Sequence, residues 1–165
     1  MNSMQTQVAE FHKKFKSPIQ RLDNPKFPDR PELRAKLNIE ETLEMAAALV
    51  GTNRAIELMH DAIQDLLNKN PDQQPDTIET IDAMGDILFV TFGTAVEMGV
   101  DLELYFDEIH RSNMAKEGGG NRSDGKILKP AGWTKPDIKG VLEAQKKMYD
   151  ESSWWMESYP LLDTP

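Results

Sequence analysis

The sequence contains no cysteine, which excludes disulfides, thiolate metal sites and cysteine nucleophiles. It also has no apolar run approaching the ~20 residues that a membrane-spanning helix needs. Its first fifteen residues, MNSMQTQVAEFHKKF, are too polar for a signal peptide. We therefore expect a cytoplasmic protein without a membrane partner.

Basic residues are in short supply, with 19 Lys and Arg against 28 Asp and Glu and a net charge of −9. This balance argues against a nucleic-acid partner, which requires a basic surface. The charge is unevenly distributed, because residues 110–147 hold nine basic and four acidic side chains. Such a division would suit a divalent cation bound beside a phosphate anion, although an ordinary mixed surface gives the same count.

Several common catalytic patterns are missing. The three histidines, His12, His60 and His110, stand in no readable Ser-His-Asp order. There is no Gly-x-x-x-x-Gly-Lys-Ser/Thr loop, and the glycine-rich stretch at 117–122 follows a predicted helix, where a hinge explains it equally well. Carboxylates are therefore the main candidates for carrying chemistry.

Helix signals dominate the chain, and strand alternation is hard to find. Asp29–Glu32 and Asp76–Glu79 have the Asp-x-x-Glu form of a helix-capping box, and Asp101 is a candidate cap for another helix. We predict an all-α helical bundle with four main helices, over about 29–50, 53–68, 76–98 and 101–116, plus a short C-terminal helix over about 137–149. At this length a single domain is expected over 1–165, with a Pro-rich arm at 17–31, a mobile basic segment at 117–135 and an irregular tail at 150–165.

Three glutamates are crowded into the stretch NIEETLEM, and we call Glu40, Glu41 and Glu44 the first acidic motif. At about 100° per residue, Glu40 and Glu44 continue the face that Leu33 and Leu37 begin. Unpaired carboxylates on an inward face are costly, and a bound cation would remove that cost.

A second acidic motif, Glu79, Asp82 and Asp86, precedes the apolar stretch ILFVTFGTAV. A helix that is apolar on every face is typically buried, so carboxylates from two packed helices would meet at the edge of the core. Ligation by oxygen alone favours Mg²⁺ or Mn²⁺ over zinc. The structural alternatives are a capping role for Glu79 and a helix-dipole role for Asp82.

The two motifs in this order, followed by HRSNMAKEGGGNRSDGKILKPAGW, resemble the MazG-like all-α nucleoside triphosphate pyrophosphohydrolases. The resemblance covers roughly residues 8–142 and is nearest to the small branch related to phosphoribosyl-ATP pyrophosphohydrolase and the dimeric dUTPases. It implies Mg²⁺-dependent hydrolysis of a (deoxy)nucleoside triphosphate, with dUTP the leading candidate and Mn²⁺ a substitute metal. Phosphoribosyl-ATP or an alarmone would be the alternative substrate.

The resemblance also implies roles for individual residues. Glu40 or Glu41 would orient or deprotonate the attacking water, and both acidic motifs would bind the metal. Substrate phosphates would be contacted by basic and amide side chains, namely Asn113, Lys116, Arg122, Lys126 and Lys129. Members of the family bury their active site between subunits, so a homodimer or a dimer of dimers is expected.

One position departs from the family pattern. The second motif of the family is Glu-x-x-Asp, and with Asp86 as its Asp the Glu position holds Ala83. Asp82 is the nearest substitute, and Glu79 lies one turn further back. This departure keeps a second class of function open, a non-catalytic helical dimer that binds a nucleotide or a protein partner.

Overall fold

The computed structural model describes residues 2–150. Within them the chain forms six α-helices and no β-strand, apart from one isolated bridge between Asn121 and Ile127. The helices are α1 (Ser3–Lys14), α2 (Pro31–Val50), α3 (Thr52–Lys69), α4 (Thr77–Met98), α5 (Leu102–Met114) and α6 (Ile138–Asp150). The all-α prediction is confirmed, while the predicted tail falls outside the described residues from 151 onward.

The helix boundaries follow local signals in the sequence. Gly51, with φ 83°, separates α2 from α3, and Gly99, with φ 64°, follows α4. The Asp76 carboxylate accepts hydrogen bonds from the backbone N–H groups of Ile78 and Glu79 at the start of α4. The Asp101 carboxylate caps α5 in the same way, through the N–H of Glu103.

Two predictions about the helices were wrong. Helix α2 has Arg30 as its N-cap with no capping side chain, and the carboxylate of Asp29 instead accepts a hydrogen bond from the Gln20 amide. The count of four main helices plus one also missed α1, three of whose side chains donate hydrogen bonds to α5. Ser3 donates to Glu103, Gln7 donates to Asp107, and the Lys14 ammonium donates to the Met114 carbonyl.

The residue contacts separate the chain into two compact units. The larger unit holds the described residues up to Ile19, then Gly85–Arg122, then those from Ile127 onward. In it α5 packs against both α1 and α6, and the buried residues are Ala95, Tyr105, Ser112 and Gln145. Gln145 fastens α6 by donating to the Gly99 carbonyl and accepting from the Asp101 N–H.

The smaller unit consists of Gln20–Met84 and Ser123–Lys126. Helices α2 and α3 pack on each other in it and bury Leu33 and Ala55.

The apolar side chains of α4 are largely exposed in the single chain, and Phe89 is 79% exposed. One chain buries only Ala95 of this helix, so the predicted burial of α4 is not reached within the single chain. None of the helices in residues 2–150 has the length and hydropathy needed to cross a bilayer.

Candidate functional site

Helix α2 presents the first acidic motif along one side of the smaller unit. Leu33, about two helical turns before Glu40, is buried, and Glu40 on the same face is half-buried. Glu41 and Glu44 are exposed. The wheel prediction therefore holds for Glu40, which continues the inward face, and does not hold for Glu44, which is exposed.

Glu40 is held by a lysine from a distant part of the chain. The Lys126 ammonium donates to Glu40 Oε2 at 2.5 Å, and the Lys36 ammonium lies 4.0 Å from Oε1. Both partners of the closer pair are about two-thirds buried. Lys126 was predicted to bind substrate phosphates, and here it neutralises a residue predicted to bind the metal.

The short loop that carries Lys126 is shaped by a glycine. Gly125 has φ +90°, a backbone region that other residues rarely adopt. Its carbonyl accepts a hydrogen bond from the Arg30 guanidinium at 3.3 Å, and the Asp124 carboxylate accepts one from the Lys126 N–H. The loop is therefore tied to the start of α2, next to a cavity of about 530 Å³ lined by Asp29–Leu33, Lys36 and Asp124.

The second acidic motif lies on the first half of α4, where Glu79, Asp82 and Asp86 are all exposed. Between residues 2 and 150, no three His, Asp or Glu side chains come together as a metal site requires. Carboxylates are suitable ligands for Mg²⁺, but the arrangement of one chain does not complete such a site. The roles predicted for these residues remain predictions.

Two of the predicted phosphate-binding lysines meet on one aromatic ring in the larger unit. The Lys129 ammonium lies 4.3 Å from the centroid of the Trp133 ring, and the Lys116 ammonium lies 6.0 Å from it. We call these three residues the lysine–indole cluster. Asn113 lies in the last turn of α5 and Lys116 just beyond it, since α5 ends at Met114 rather than at the predicted position. Arg122 is half-buried beside the Asn121–Ile127 bridge.

Glu108 on α5 pairs with Arg111 and also binds the backbone at Asp137, just before α6. Both carboxylate oxygens of Glu108 accept from the Arg111 guanidinium at 2.6 Å, and one also accepts from the Asp137 N–H at 2.7 Å. The Arg111 hydrogen bond, helped by the Asp137 N–H, lowers the pKa of Glu108 to about 2. Glu108 is therefore ionised at any physiological pH, and it ties the start of α6 to α5.

Sequence reasoning missed Trp133 and Ser112 as members of this region. Trp133 closes the stretch KPAGW, and its distance along the chain from Lys116 gives no periodic signal. The Trp133 indole N–H donates to the Ser112 carbonyl at 2.8 Å, and the Ser112 hydroxyl donates to the Thr134 carbonyl at 3.0 Å. Both residues belong to the stretch HRSNMAKEGGGNRSDGKILKPAGW that carries the family resemblance, but the order of its residues does not show this packing.

Comparison with known proteins gives two findings. The profile of the family described as "Phosphoribosyl-ATP pyrophosphohydrolase" matches residues 8–113. The fold is similar to the crystal structure of a candidate NTP pyrophosphohydrolase from Exiguobacterium sp. 255-15, with a TM-score of 0.71 and 24% identity over 92% of this chain and 99% of that one. No curated protein matches the sequence.

Proposed function

Because the chain belongs to the phosphoribosyl-ATP pyrophosphohydrolase family, we propose that it cleaves the α–β phosphoanhydride bond of a (deoxy)nucleoside triphosphate. The products are the nucleoside monophosphate and pyrophosphate. dUTP is the first candidate in this proposal, because the motifs resemble the branch related to phosphoribosyl-ATP pyrophosphohydrolase and the dimeric dUTPases. Phosphoribosyl-ATP follows, on the description of the matching family, and an alarmone is third.

The observation that carries the proposal is the ion pair between Lys126 and Glu40. A carboxylate of the first acidic motif and a lysine of the basic segment are 86 residues apart in sequence, yet they are in contact. Residues that act on one triphosphate need this proximity, because the negative charges of the phosphates must be balanced near the carboxylates. The half-buried setting strengthens the attraction between the two groups.

The proposed cofactor is Mg²⁺, with Mn²⁺ as a substitute, held by carboxylates of the two acidic motifs. When bound, the cation neutralises charge that develops on the phosphates. Since Glu40 is engaged by Lys126, we assign Glu41 to orient or deprotonate the attacking water. Asn113, Lys116, Arg122, Lys126 and Lys129 bind the phosphates in this proposal.

A homodimer, or a dimer of dimers, completes the proposal. The exposed apolar side chains of α4 support it, with Phe89 at 79% and Val96 at 74% exposure. Exposed apolar surface of this extent is typical of a protein interface. A second copy of the chain would cover this surface and supply the carboxylates that one chain does not bring together.

The test is a hydrolysis assay on dUTP, the other deoxynucleoside triphosphates, phosphoribosyl-ATP and ppGpp, with and without Mg²⁺. Pyrophosphate and orthophosphate are quantified separately. We expect Mg²⁺-dependent release of pyrophosphate with a matching amount of monophosphate, fastest for dUTP. Absence of turnover on every nucleotide would contradict the proposal and favour a non-catalytic binding protein, for which Ala83 at the usual Glu position would be the reason.

A further inference from the structure

The larger unit contains an aromatic ring that contacts two lysines and is itself firmly held. Trp133 is half-buried, and its indole N–H donates to the Ser112 carbonyl. Ser112 is 1% exposed, and its hydroxyl donates to the Thr134 carbonyl next to the ring. The backbone N–H of Trp133 also closes a turn by donating to the Pro130 carbonyl at 3.2 Å. The ring therefore has a fixed position relative to the end of α5.

The strand-like stretch before the ring is held as well. The Leu128 N–H donates to the Gly120 carbonyl at 3.0 Å. A Cβ atom on Gly119 would lie 1.9 Å from the Leu128 carbonyl oxygen, so only glycine permits this approach. The backbone on either side of Lys129 is thereby fixed, at Leu128 and again at Pro130.

Two lysines contact this ring from different parts of the chain. Lys116 follows α5, and Lys129 belongs to the fixed stretch. A lysine side chain normally samples many rotamers in water, and the face of an indole attracts an ammonium group and limits that sampling. Both ammonium groups are thereby held near one ring, at 4.3 Å and 6.0 Å from its centroid. An anion with several negative charges offers an acceptor to each of them.

We propose that Trp133 is a positioning residue that holds Lys116 and Lys129 together for one polyphosphate chain. The ring does not touch the reacting atoms and acts through the two ammonium groups. The inference rests on the proposed function for the identity of the substrate, but the positioning itself is measurable with inorganic pyrophosphate alone. The glycine at 119 and the hydroxyl of Ser112 serve the same arrangement, because they fix the backbone and the ring.

The experiment measures pyrophosphate binding by calorimetry at low salt, in buffer with a chelator and without metal. Trp133→Leu removes the aromatic face, and we expect its dissociation constant to rise about fivefold. Trp133→Phe keeps an aromatic face and loses the indole N–H, and it should stay within about twofold of the wild type. Lys139→Gln, an exposed lysine of α6 paired with Glu143, is the matched control and should bind like the wild type.

The decisive comparison places Trp133→Leu in a chain that already carries Lys116→Gln and Lys129→Gln. If the ring acts through the lysines, this third substitution weakens binding no further. A full additional loss there would overturn the inference, as would equal losses in the Leu and Phe variants, which indicate a purely structural ring. Absence of pyrophosphate binding by the wild type would overturn it too.

The variants also separate this inference from the proposed function. Ser112→Ala leaves the aromatic ring in place and serves as a second probe if Trp133→Leu does not fold. We expect it to weaken pyrophosphate binding relative to the wild type, and binding equal to the wild type would count against the positioning role. A wild type that binds pyrophosphate with the expected coupling, but hydrolyses no nucleotide, would leave the positioning role standing and refute the enzymatic proposal.

Discussion

Lys129 was predicted to bind the substrate phosphates and Glu44 the metal, and the two residues have very different surroundings in one chain. Lys129 rests on a ring that is fixed by hydrogen bonds within its own unit. Glu44 is exposed, and no cluster of three potential metal ligands forms within the described residues. The contacts of a single chain thus fix Lys129, whereas they do not bring three carboxylates together as a metal site requires within the described residues. The proposed second subunit would supply further carboxylates.

The largest effect expected in the acidic region comes from removing single charges. Glu41→Gln and Asp86→Asn should each lower turnover by about a hundredfold or more, because each removes a carboxylate proposed for the water or the metal. Both side chains are exposed in one chain, so the helicity seen by circular dichroism should not change. Asp65→Asn, an exposed carboxylate of α3 outside both motifs, is the control. Full activity in both variants would refute the assignment.

A second way to test the contrast is to keep the chain monomeric. Phe89→Asp places a charge on the exposed apolar face of α4 and should shift the protein to monomers in light scattering coupled to gel filtration. Turnover of the monomeric variant should fall by about tenfold or more, because the carboxylates that the second subunit is proposed to supply are then missing. Phe89→Leu keeps an apolar side chain and should remain assembled. A wild type that is monomeric at micromolar concentration would contradict the proposed dimer.

Lys126 tests a contact between the basic segment and the first acidic motif. Lys126→Gln removes the charge that pairs with Glu40, and we expect KM for the nucleotide to rise about tenfold, a size typical of losing a charged hydrogen bond. Lys135→Gln, an exposed residue of the same basic segment, is the control. An unchanged KM would mean that Lys126 serves only Glu40.

The smallest effect concerns stability in the basic region. The pKa of Glu108 is about 2 against an ordinary value of 4.5, so the folded state favours the ionised carboxylate. Its stabilising contribution is present above about pH 4.5 and is lost as the pH falls toward 2. The wild type should therefore melt above Glu108→Gln at pH 7, and the gap should narrow below pH 4.5. A gap that is independent of pH would show that Arg111 contributes little through charge.

Much of the fold could be predicted because its signals are local. Asp76, Asp101 and the glycines at 51 and 99 mark helix ends through backbone chemistry that involves only neighbouring residues. Helix α1 escaped prediction because it is anchored by polar contacts such as Gln7 to Asp107, which a search for apolar periodicity does not register. The exposure of Phe89 in one chain was not predicted either. An apolar pattern indicates that a helix face is buried, but it does not indicate whether the same chain or a second chain packs on it.

The sequence by itself determined the all-α class, several helix ends and the family, because capping groups, helical periodicity and the order of the acidic motifs are properties of short stretches. Only the tertiary structure decided that Lys126 pairs with Glu40 and that Lys116 and Lys129 share the ring of Trp133. These contacts join residues far apart in the chain, and their distances depend on how loops pack onto helices. No periodic pattern records such packing, which is why the proposed role of Trp133 came from the structure alone.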